Sequence, residues 1–353
     1  MSIPFIPVSP RTAARNIATR MSLVREGLMA RGEYLADPTI VEKVTWEPYG
    51  SGHRLVIIPP PSPSPVTLEN SSLPDDPGAA TAEQPDGRSP TPDNPTNDPA
   101  VDVPADPLVP AVLTIVTQLV PGQSWLYPDG RWTGPTAYVQ RFTDVKLLCT
   151  GGAPAHQRFV DDYSTSVANL NTIMGRLGDS RNERNTVVHG STNSIRMRHQ
   201  LFTEYEDPEM ADPSDVAYTR AWPTSTPEAA EALAVAAEGY QVNPLPAYDQ
   251  NGVLLEPLYY GKRLDGATVI ARFELTHYLI RKGKEKRAVD TFSARIVQLR
   301  VILPPPGASP ATPRKKRVLM HDAYFGSFTP TKRRRDDDDD KENEPLAKSM
   351  RCG

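Results

Sequence analysis

The chain lacks the residues and runs on which several large protein classes depend. Its 353 residues include only two cysteines, too few for a disulfide framework or a cysteine zinc site. No apolar run reaches the roughly 18 residues that a transmembrane helix needs. Prolines interrupt the apolar stretch that begins the sequence, which argues against a secretory signal. We therefore expect a protein of a reducing compartment that has no membrane partner.

The sequence also lacks the motifs of the common enzyme classes. It contains no G-x-x-x-x-G-K-[ST] phosphate loop and no G-x-G-x-x-G fingerprint after a strand. It contains no G-x-S-x-G nucleophile elbow and no H-E-x-x-H zinc motif. Its six histidines never fall at metal-ligand spacing with a cysteine or another histidine. We therefore predict a non-enzymatic protein that uses no metal and no cofactor.

A few titratable residues nevertheless invite a chemical interpretation. Cys149 precedes His156 by seven residues, but sequence neighbours are not a catalytic pair, and a cysteine on a strand is typically a small buried residue. His277 lies on the apolar side of its strand, which favours a core histidine over a ligand. Asp161 and Asp162 are adjacent on a helix and face different directions, so we expect both carboxylates to be solvated.

Proline divides the chain into folded and unfolded parts. Fifteen of the 38 prolines lie in residues 59–110, together with nine acidic residues and one basic residue. Such a segment cannot bury enough apolar surface to offset its ordering entropy, which predicts a disordered acidic linker. A second disordered segment is predicted for residues 304–353. The remaining parts are an N-terminal unit, residues 1–58, and a main domain, residues 111–303.

Periodic spacing of apolar residues predicts the elements of both folded parts. The N-terminal unit is expected to hold a helix that ends near Gly32, and then a hairpin. The main domain is expected to hold a strand over 138–149 and helices over 159–177 and 226–238. Residues 178–225 are polar and irregular and receive no assignment.

The clearest β-structure extends from Gly266 to Leu303. Apolar and polar residues alternate in its first half, and the apolar parity changes between Ile296 and Leu299 in its second half. This change predicts a β-bulge or burial on both sides of the strand. The predicted fold class is α+β, with an antiparallel sheet or a partly open barrel, of which an OB-like barrel is one form. Helices pack on it, and long disordered segments interrupt it.

Residues 281–287, the basic tip, lie between the two halves of this β-structure. Five of the seven are cations that would contact the phosphate backbone of DNA or RNA: Arg281, Lys282, Lys284, Lys286 and Arg287. Bases would stack on Tyr278 or on the tryptophans of residues 125–132. The predicted function is therefore a nuclear, non-enzymatic binding protein that contacts nucleic acid. The alternative is a protein-interaction or regulatory scaffold module whose core has no affinity for nucleic acid.

The C-terminal segment carries two basic clusters and, beside them, two predicted phosphorylation sites. Two basic clusters, fourteen residues apart, have the layout of a bipartite nuclear-localisation signal for a nuclear import receptor: Arg314, Lys315, Lys316 and Arg317, then Lys332, Arg333, Arg334 and Arg335. Thr312 and Thr329 begin T-P-x-K sites typical of cyclin-dependent kinase substrates, where a phosphate would weaken the fit to an acidic groove. Lys341-Glu342-Asn343 resembles the degron read by the mitotic ubiquitin ligase. The basic N-terminal helix alternatively fits a mitochondrial transit peptide.

A fifteen-residue pattern, L-x-G-A-x-V-x-x-x-F-x-L-x-H-Y, extends from Leu264 to Tyr278. Through it, residues 244–306 resemble a lineage-specific protein family of mushroom-forming (basidiomycete) fungi. The resemblance implies that residues 266–303 form a folded unit. It implies no reaction, cofactor or catalytic residue.

Overall fold

The computed structural model describes residues 10–59, 108–178, 182–281 and 288–307, which form a mixed α+β fold. The helices are α1 (Pro10–Arg31), α2 (Val160–Gly175), α3 (Pro213–Arg220), α4 (Pro227–Ala236) and α5 (Tyr260–Leu264). The strands are β1 (Val44–Tyr49), β2 (Gly52–Ile57), β3 (Val112–Leu119), β4 (Lys146–Gly152), β5 (Glu183–Asn185), β6 (Val188–His189), β7 (Ser194–Gln200), β8 (Phe202–Glu204), β9 (Tyr240–Val242), β10 (Ala247–Tyr248), β11 (Thr268–Arg281) and β12 (Ala288–Leu303). None of the helices in this described part is long and apolar enough to cross a membrane.

Five strands form a partly closed ring in the order β3-β4-β7-β12-β11, with β11 returning to β3. β7 and β12 run parallel, and the other neighbours in the ring run antiparallel. The ring is held by only two residue pairs at two places: Gln118–Gly152 and Leu119–Gly151 between β3 and β4, and Met197–Ala294 and Arg198–Arg295 between β7 and β12. Going round the ring, its strands are the first, second, third, fifth and fourth in chain order. The predicted partly open barrel is therefore confirmed.

The inside of the ring is the main hydrophobic core. Successive side chains of a strand point to opposite sides, so one side of every ring strand faces the core and the other faces outward. The buried side of the ring is formed by Leu113 and Ile115 of β3, Leu147 and Cys149 of β4, Ile195 and Met197 of β7, Phe273 and Leu275 of β11, and Ala294 and Ile296 of β12.

The predicted β-bulge is present in the pairing of β11 with β12. Arg272 pairs with Gln298, whereas the next residue, Phe273, pairs with Ile296, so Val297 is the extra residue. The bulge turns Gln298 to the same side of the sheet as Arg295. It explains why apolar residues change parity along β12.

The N-terminal part of the chain packs directly on the barrel. β2 pairs with β11 from Thr276 to Tyr278, and β1 forms the sheet edge beyond it. α1 lies on the outside of the ring, where Met21, Val24 and Leu28 are buried against apolar residues of β3, β11 and β12. The predicted helix and hairpin of this region are therefore confirmed as elements.

The main-domain helices agree with the sequence, but one strand does not. The predicted helices over 159–177 and 226–238 are α2 and α4, and the hydroxyl of Thr226 caps α4 by accepting from Ala229 N at 3.1 Å. The strand predicted over 138–149 begins only at Lys146. Its first half is replaced by a turn in which Thr136 N donates to the carbonyl oxygen of Val139 and by a short 3-10 helix, Phe142–Asp144. The unassigned residues 178–225 contain β5 to β8 and α3.

Candidate nucleic-acid interface

One row of paired residues, the outer ladder, follows the outside of the ring. Trp125 pairs with Leu148 of β4, and Leu148 pairs with Arg198 of β7. Arg198 pairs with Arg295 of β12, which pairs with Glu274 of β11. Glu274 in turn pairs with Val112 of β3. Paired residues project from the same side of a sheet, so the row joins side chains of all five ring strands and Trp125.

The outer ladder points away from the core. Leu148 lies between the buried residues Leu147 and Cys149 on its strand, and Glu274 lies between the buried Phe273 and Leu275. Because side chains alternate along a strand, Leu148 and Glu274 must project outward. The same parity places other residues of β4 and β7 on this outer face: Lys146, Thr150, Arg196 and Gln200.

The outer face of β4 and β7 is cationic. Neither strand contains an acidic residue, and within the described chain Lys146, Arg196 and Arg198 form no ion pair. Arg295, by contrast, is paired with Glu274 at 2.5 Å. Burial lowers the pKa of Arg198, and burial together with the charge of Arg198 lowers the pKa of Lys146. An anion bound between these side chains would relieve their repulsion.

Two exposed aromatic side chains border the cationic surface. Trp125 is 54% exposed at the beginning of the outer ladder, and its backbone holds it to Leu148 through two hydrogen bonds of 2.7 and 3.4 Å. Tyr278 is 39% exposed on β11, with the same parity as Glu274. Trp132, the other tryptophan of residues 125–132, is buried against Phe142. Of the stacking residues expected from the sequence, Trp125 and Tyr278 are therefore accessible and Trp132 is not.

The basic tip continues from the same strand. Arg281 ends β11, is exposed and pairs with Ala288 of β12. The strands on both sides of the tip therefore form the expected hairpin. The other predicted cations, Lys282, Lys284, Lys286 and Arg287, lie outside the described residues. So do Thr312, Thr329, the degron-like Lys341-Glu342-Asn343 and both clusters of the predicted import signal.

His277 is a buried histidine with partners on both sides. Its Nε2 lies 2.8 Å from Oδ1 of Asp290, and its Nδ1 lies 3.3 Å from Nδ1 of His53. Asn182 donates to the other oxygen of Asp290 at 3.1 Å. Both ring nitrogens of His277 are thus occupied, as expected for a core histidine rather than a ligand. In the described residues, no group of three or more His, Cys, Asp or Glu could hold a metal ion.

The expectation that Asp161 and Asp162 are both solvated is wrong for Asp162. Asp161 is exposed, but Asp162 is buried and accepts two hydrogen bonds from Arg25, at 2.7 and 2.9 Å. The buried hydroxyl of Tyr34 donates to the same carboxylate at 3.1 Å. Asp162 therefore attaches α2 to α1, which lies more than a hundred residues earlier in the chain.

Cys149 has the surroundings of a structural residue. It is fully buried on the core side of β4, and burial raises the pKa of its thiol to about 12. His156 instead caps a short turn before α2, where its Nδ1 accepts from Arg158 N at 3.3 Å. A buried thiol with so high a pKa is a poor nucleophile.

Comparison with family models, curated proteins and solved structures found no match to this chain. The OB-like form of the barrel therefore stays a prediction.

Sequence reasoning overlooked the cations of β7. The signal is present in Ser194–Gln200, SIRMRHQ, where Arg196 and Arg198 alternate with the buried Ile195 and Met197. This alternation is the pattern of a half-buried strand. It extends over only a few residues within the polar stretch that received no assignment.

Proposed function

We propose that the protein binds single-stranded nucleic acid across the outer face of β4 and β7. The observation that carries this proposal is the outer ladder, which sets the exposed Trp125 in register with Arg198 across Leu148. Nonspecific single-strand binding combines a cationic surface that follows the phosphates with aromatic rings on which bases stack. Lys146, Arg196 and Arg198 would contact phosphates.

The position of this surface on the barrel supports the proposal. OB folds bind oligonucleotides on their second and third strands and on the loops that join strands one to two and four to five. The second and third ring strands are β4 and β7. In the sequence, residues 120–145, which include Trp125, connect β3 to β4, and residues 282–287 of the basic tip connect β11 to β12. Cations and an exposed aromatic residue thus occur where such barrels bind.

A single strand fits the surface better than a duplex does. Trp125 and Tyr278 each offer a ring that can stack only on an unpaired base. Stacking on a ring discriminates weakly between bases, because every base has a flat face. We therefore expect little sequence preference in binding.

Binding of the full chain to labelled single-stranded DNA, single-stranded RNA and duplex DNA tests the proposal. We expect the double variant Arg196→Gln/Arg198→Gln to bind both single strands more weakly. Loss of two phosphate contacts reduces the slope of log K against log salt by about 1.4. Fluorescence anisotropy at 50 and 200 mM salt measures this slope. We expect neutralising the basic tip to weaken binding as well.

The matched control, Arg158→Gln/Lys262→Gln, removes the same charge from exposed residues that are not on the outer face. The cations of the C-terminal segment contribute equally to nucleic-acid binding by both variants. A difference in binding between the two variants therefore reports on the outer face of the barrel. Equal losses in the two variants, or a preference for duplex, would refute the proposed interface. The protein-interaction alternative would then be favoured.

We also propose that the protein acts in the nucleus, imported through the two basic clusters of the C-terminal segment. Alanine at Arg333 and Arg334 is expected to lower the nuclear fraction of a fluorescent fusion. Alanine at Thr312 and Thr329 is expected to keep the fusion nuclear when cyclin-dependent kinases are active, because a phosphate there would weaken receptor binding. An unchanged distribution through mitosis would argue against control by phosphorylation.

A further inference from the structure

A shallow apolar groove, the α3 groove, is lined by residues that do not belong to the outer ladder. It has a volume of about 640 Å³ and is lined by Ala211, Pro213, Val216, Ala217, Arg220 and Ala221. Met210 and Tyr218, which neighbour its lining residues in the chain, are 81% and 50% exposed. An exposed apolar groove is a candidate interaction site.

The stretch of sequence that contains the groove-lining residues is strongly acidic. Residues 204–238 contain nine carboxylates and a single basic residue, Arg220. All nine acidic residues are exposed: Glu204, Glu206, Asp207, Glu209, Asp212, Asp215, Glu228, Glu231 and Glu238. Complementary charge selects partners, so the groove favours a segment that is both apolar and cationic.

The chain itself contains a segment of this chemistry, residues 314–335. It holds eight basic residues and one acidic residue, Asp322. Between its two basic clusters lie six large apolar residues: Val318, Leu319, Met320, Tyr324, Phe325 and Phe328. The predicted import signal uses the clusters and gives these apolar side chains no role. An apolar centre with cationic ends complements an apolar groove in an acidic stretch of the chain.

We propose that residues 314–335 dock in the α3 groove of the same chain. The apolar residues would occupy the groove, and the basic clusters would face the surrounding carboxylates. Docking would also cover the clusters that the import receptor is predicted to bind.

The geometry of the chain allows this docking. Leu299 of β12 pairs with Ala247, which follows β9 by five residues, and Val242 of β9 donates to Thr219 of α3 at 3.0 Å. From Leu303 at the end of β12, the route along these contacts to β9 is roughly 35 Å, whereas the fifteen residues to Val318 extend up to about 50 Å. Tethering also raises the effective concentration of the segment to about the millimolar range.

Limited trypsin digestion of the full chain, followed by mass spectrometry, tests the proposal. Trypsin can cleave residues 314–335 only in molecules in which this segment is undocked. The cleavage rate therefore follows the undocked population. For an intrinsic Kd of about 0.1 mM, millimolar effective concentration predicts roughly tenfold slower cleavage within residues 314–335. We expect the rim variant Glu206→Gln/Glu209→Gln/Asp215→Asn to remove this protection at low salt. Ala217→Arg, which adds bulk and positive charge at an exposed groove residue, should remove it too.

The matched control is Glu26→Gln/Glu42→Gln/Asp161→Asn, which changes the net charge equally at exposed residues elsewhere. Its third substitution, like that of the rim variant, removes a carboxylate from the first turn of a helix. Retained protection in the control supports the proposal. Equal cleavage rates in the rim variant and the unmodified chain would overturn it. Protection that decreases on tenfold dilution would also overturn it, because the groove would then hold another chain.

Discussion

The ring of Tyr278 packs against the α-carbon of Gly52, across the pairing of β2 with β11. A Cβ atom at Gly52 would lie 3.0 Å from Cδ1 of Tyr278 and 2.1 Å from the carbonyl oxygen of His277. Glycine thus lets the two strands approach while Tyr278 remains on the outer face. The hairpin of β1 and β2 thereby helps to position one of the two aromatic residues of the proposed interface.

The variant Gly52→Ala is expected to lower the free energy of unfolding by about 2 kcal/mol, because overpacking against backbone forces the strands apart. Urea denaturation measures the change. Gly27→Ala is the control, since nothing lies within 4 Å of a Cβ at that helical position. It should be neutral or stabilising by up to about 1 kcal/mol. Equal stability of the two variants would show that the close approach at Gly52 is relieved without cost.

Trp125→Ala is expected to weaken binding to single-stranded nucleic acid by about 1 to 3 kcal/mol, the usual contribution of one stacked base. Stacking is uncharged, so the loss should be similar at 50 and 200 mM salt, unlike that of the arginine variants. Anisotropy titrations measure both. The control is Trp125→Phe, which keeps an aromatic ring at the same position and should retain most of the binding. A salt-dependent loss, or the same loss in the control, would argue against stacking on Trp125.

Asp162→Ala is expected to destabilise the fold by about 1 to 3 kcal/mol, the cost of leaving buried hydrogen-bonding groups unsatisfied. The hydroxyl of Tyr34 would lose its acceptor inside the protein, while Arg25, which is about a third exposed, would recover part of its hydration. Asp161→Ala changes the neighbouring, exposed carboxylate and should stay within about 0.5 kcal/mol of the unmodified chain. Thermal unfolding of the two variants compares them directly, and equal melting temperatures would contradict the prediction.

His199 is expected to make the protein sensitive to acid. Burial lowers the pKa of His199, against the opposing effect of backbone carbonyls of Asn243 and Ile296. The unfolded chain therefore binds a proton more readily than the folded one, so stability is complete above about pH 6.5 and falls below it. The slope is limited to about 1.4 kcal/mol per pH unit. Urea denaturation at pH 7.5 and 5.5 measures this loss.

The variant His199→Gln keeps a donor for the carbonyl of Asn243 but cannot titrate. It should lose less stability between the two pH values than the unmodified chain does. His189→Gln, at an exposed histidine, should leave the loss unchanged. An acid loss of full size in His199→Gln would assign the sensitivity to other groups.

The sequence predicted those features that depend on local spacing. α2, α4 and the hairpin of β11 and β12, including its bulge, follow from residues close to one another in the chain. The closure of the ring does not, because it joins β7 to β12 through a parallel pair about a hundred residues apart. The burial of Asp162 depends likewise on Arg25, 137 residues earlier. The spacing of apolar residues shows which side of an element is apolar. It does not show which distant residue contacts that element in the fold.

The pairing of β2 with β11 also has a consequence for biosynthesis. His53 meets His277, which is 224 residues later in the chain. At 5 to 20 residues per second, a ribosome needs roughly 10 to 45 s to add them. A hairpin such as β1–β2 forms within about 10 μs, so the part of its inner edge that pairs with β11, residues 52–54, waits unpaired for almost that whole interval. Translation speed, rather than folding speed, therefore sets how long this edge is open to chaperones and to wrong strand partners.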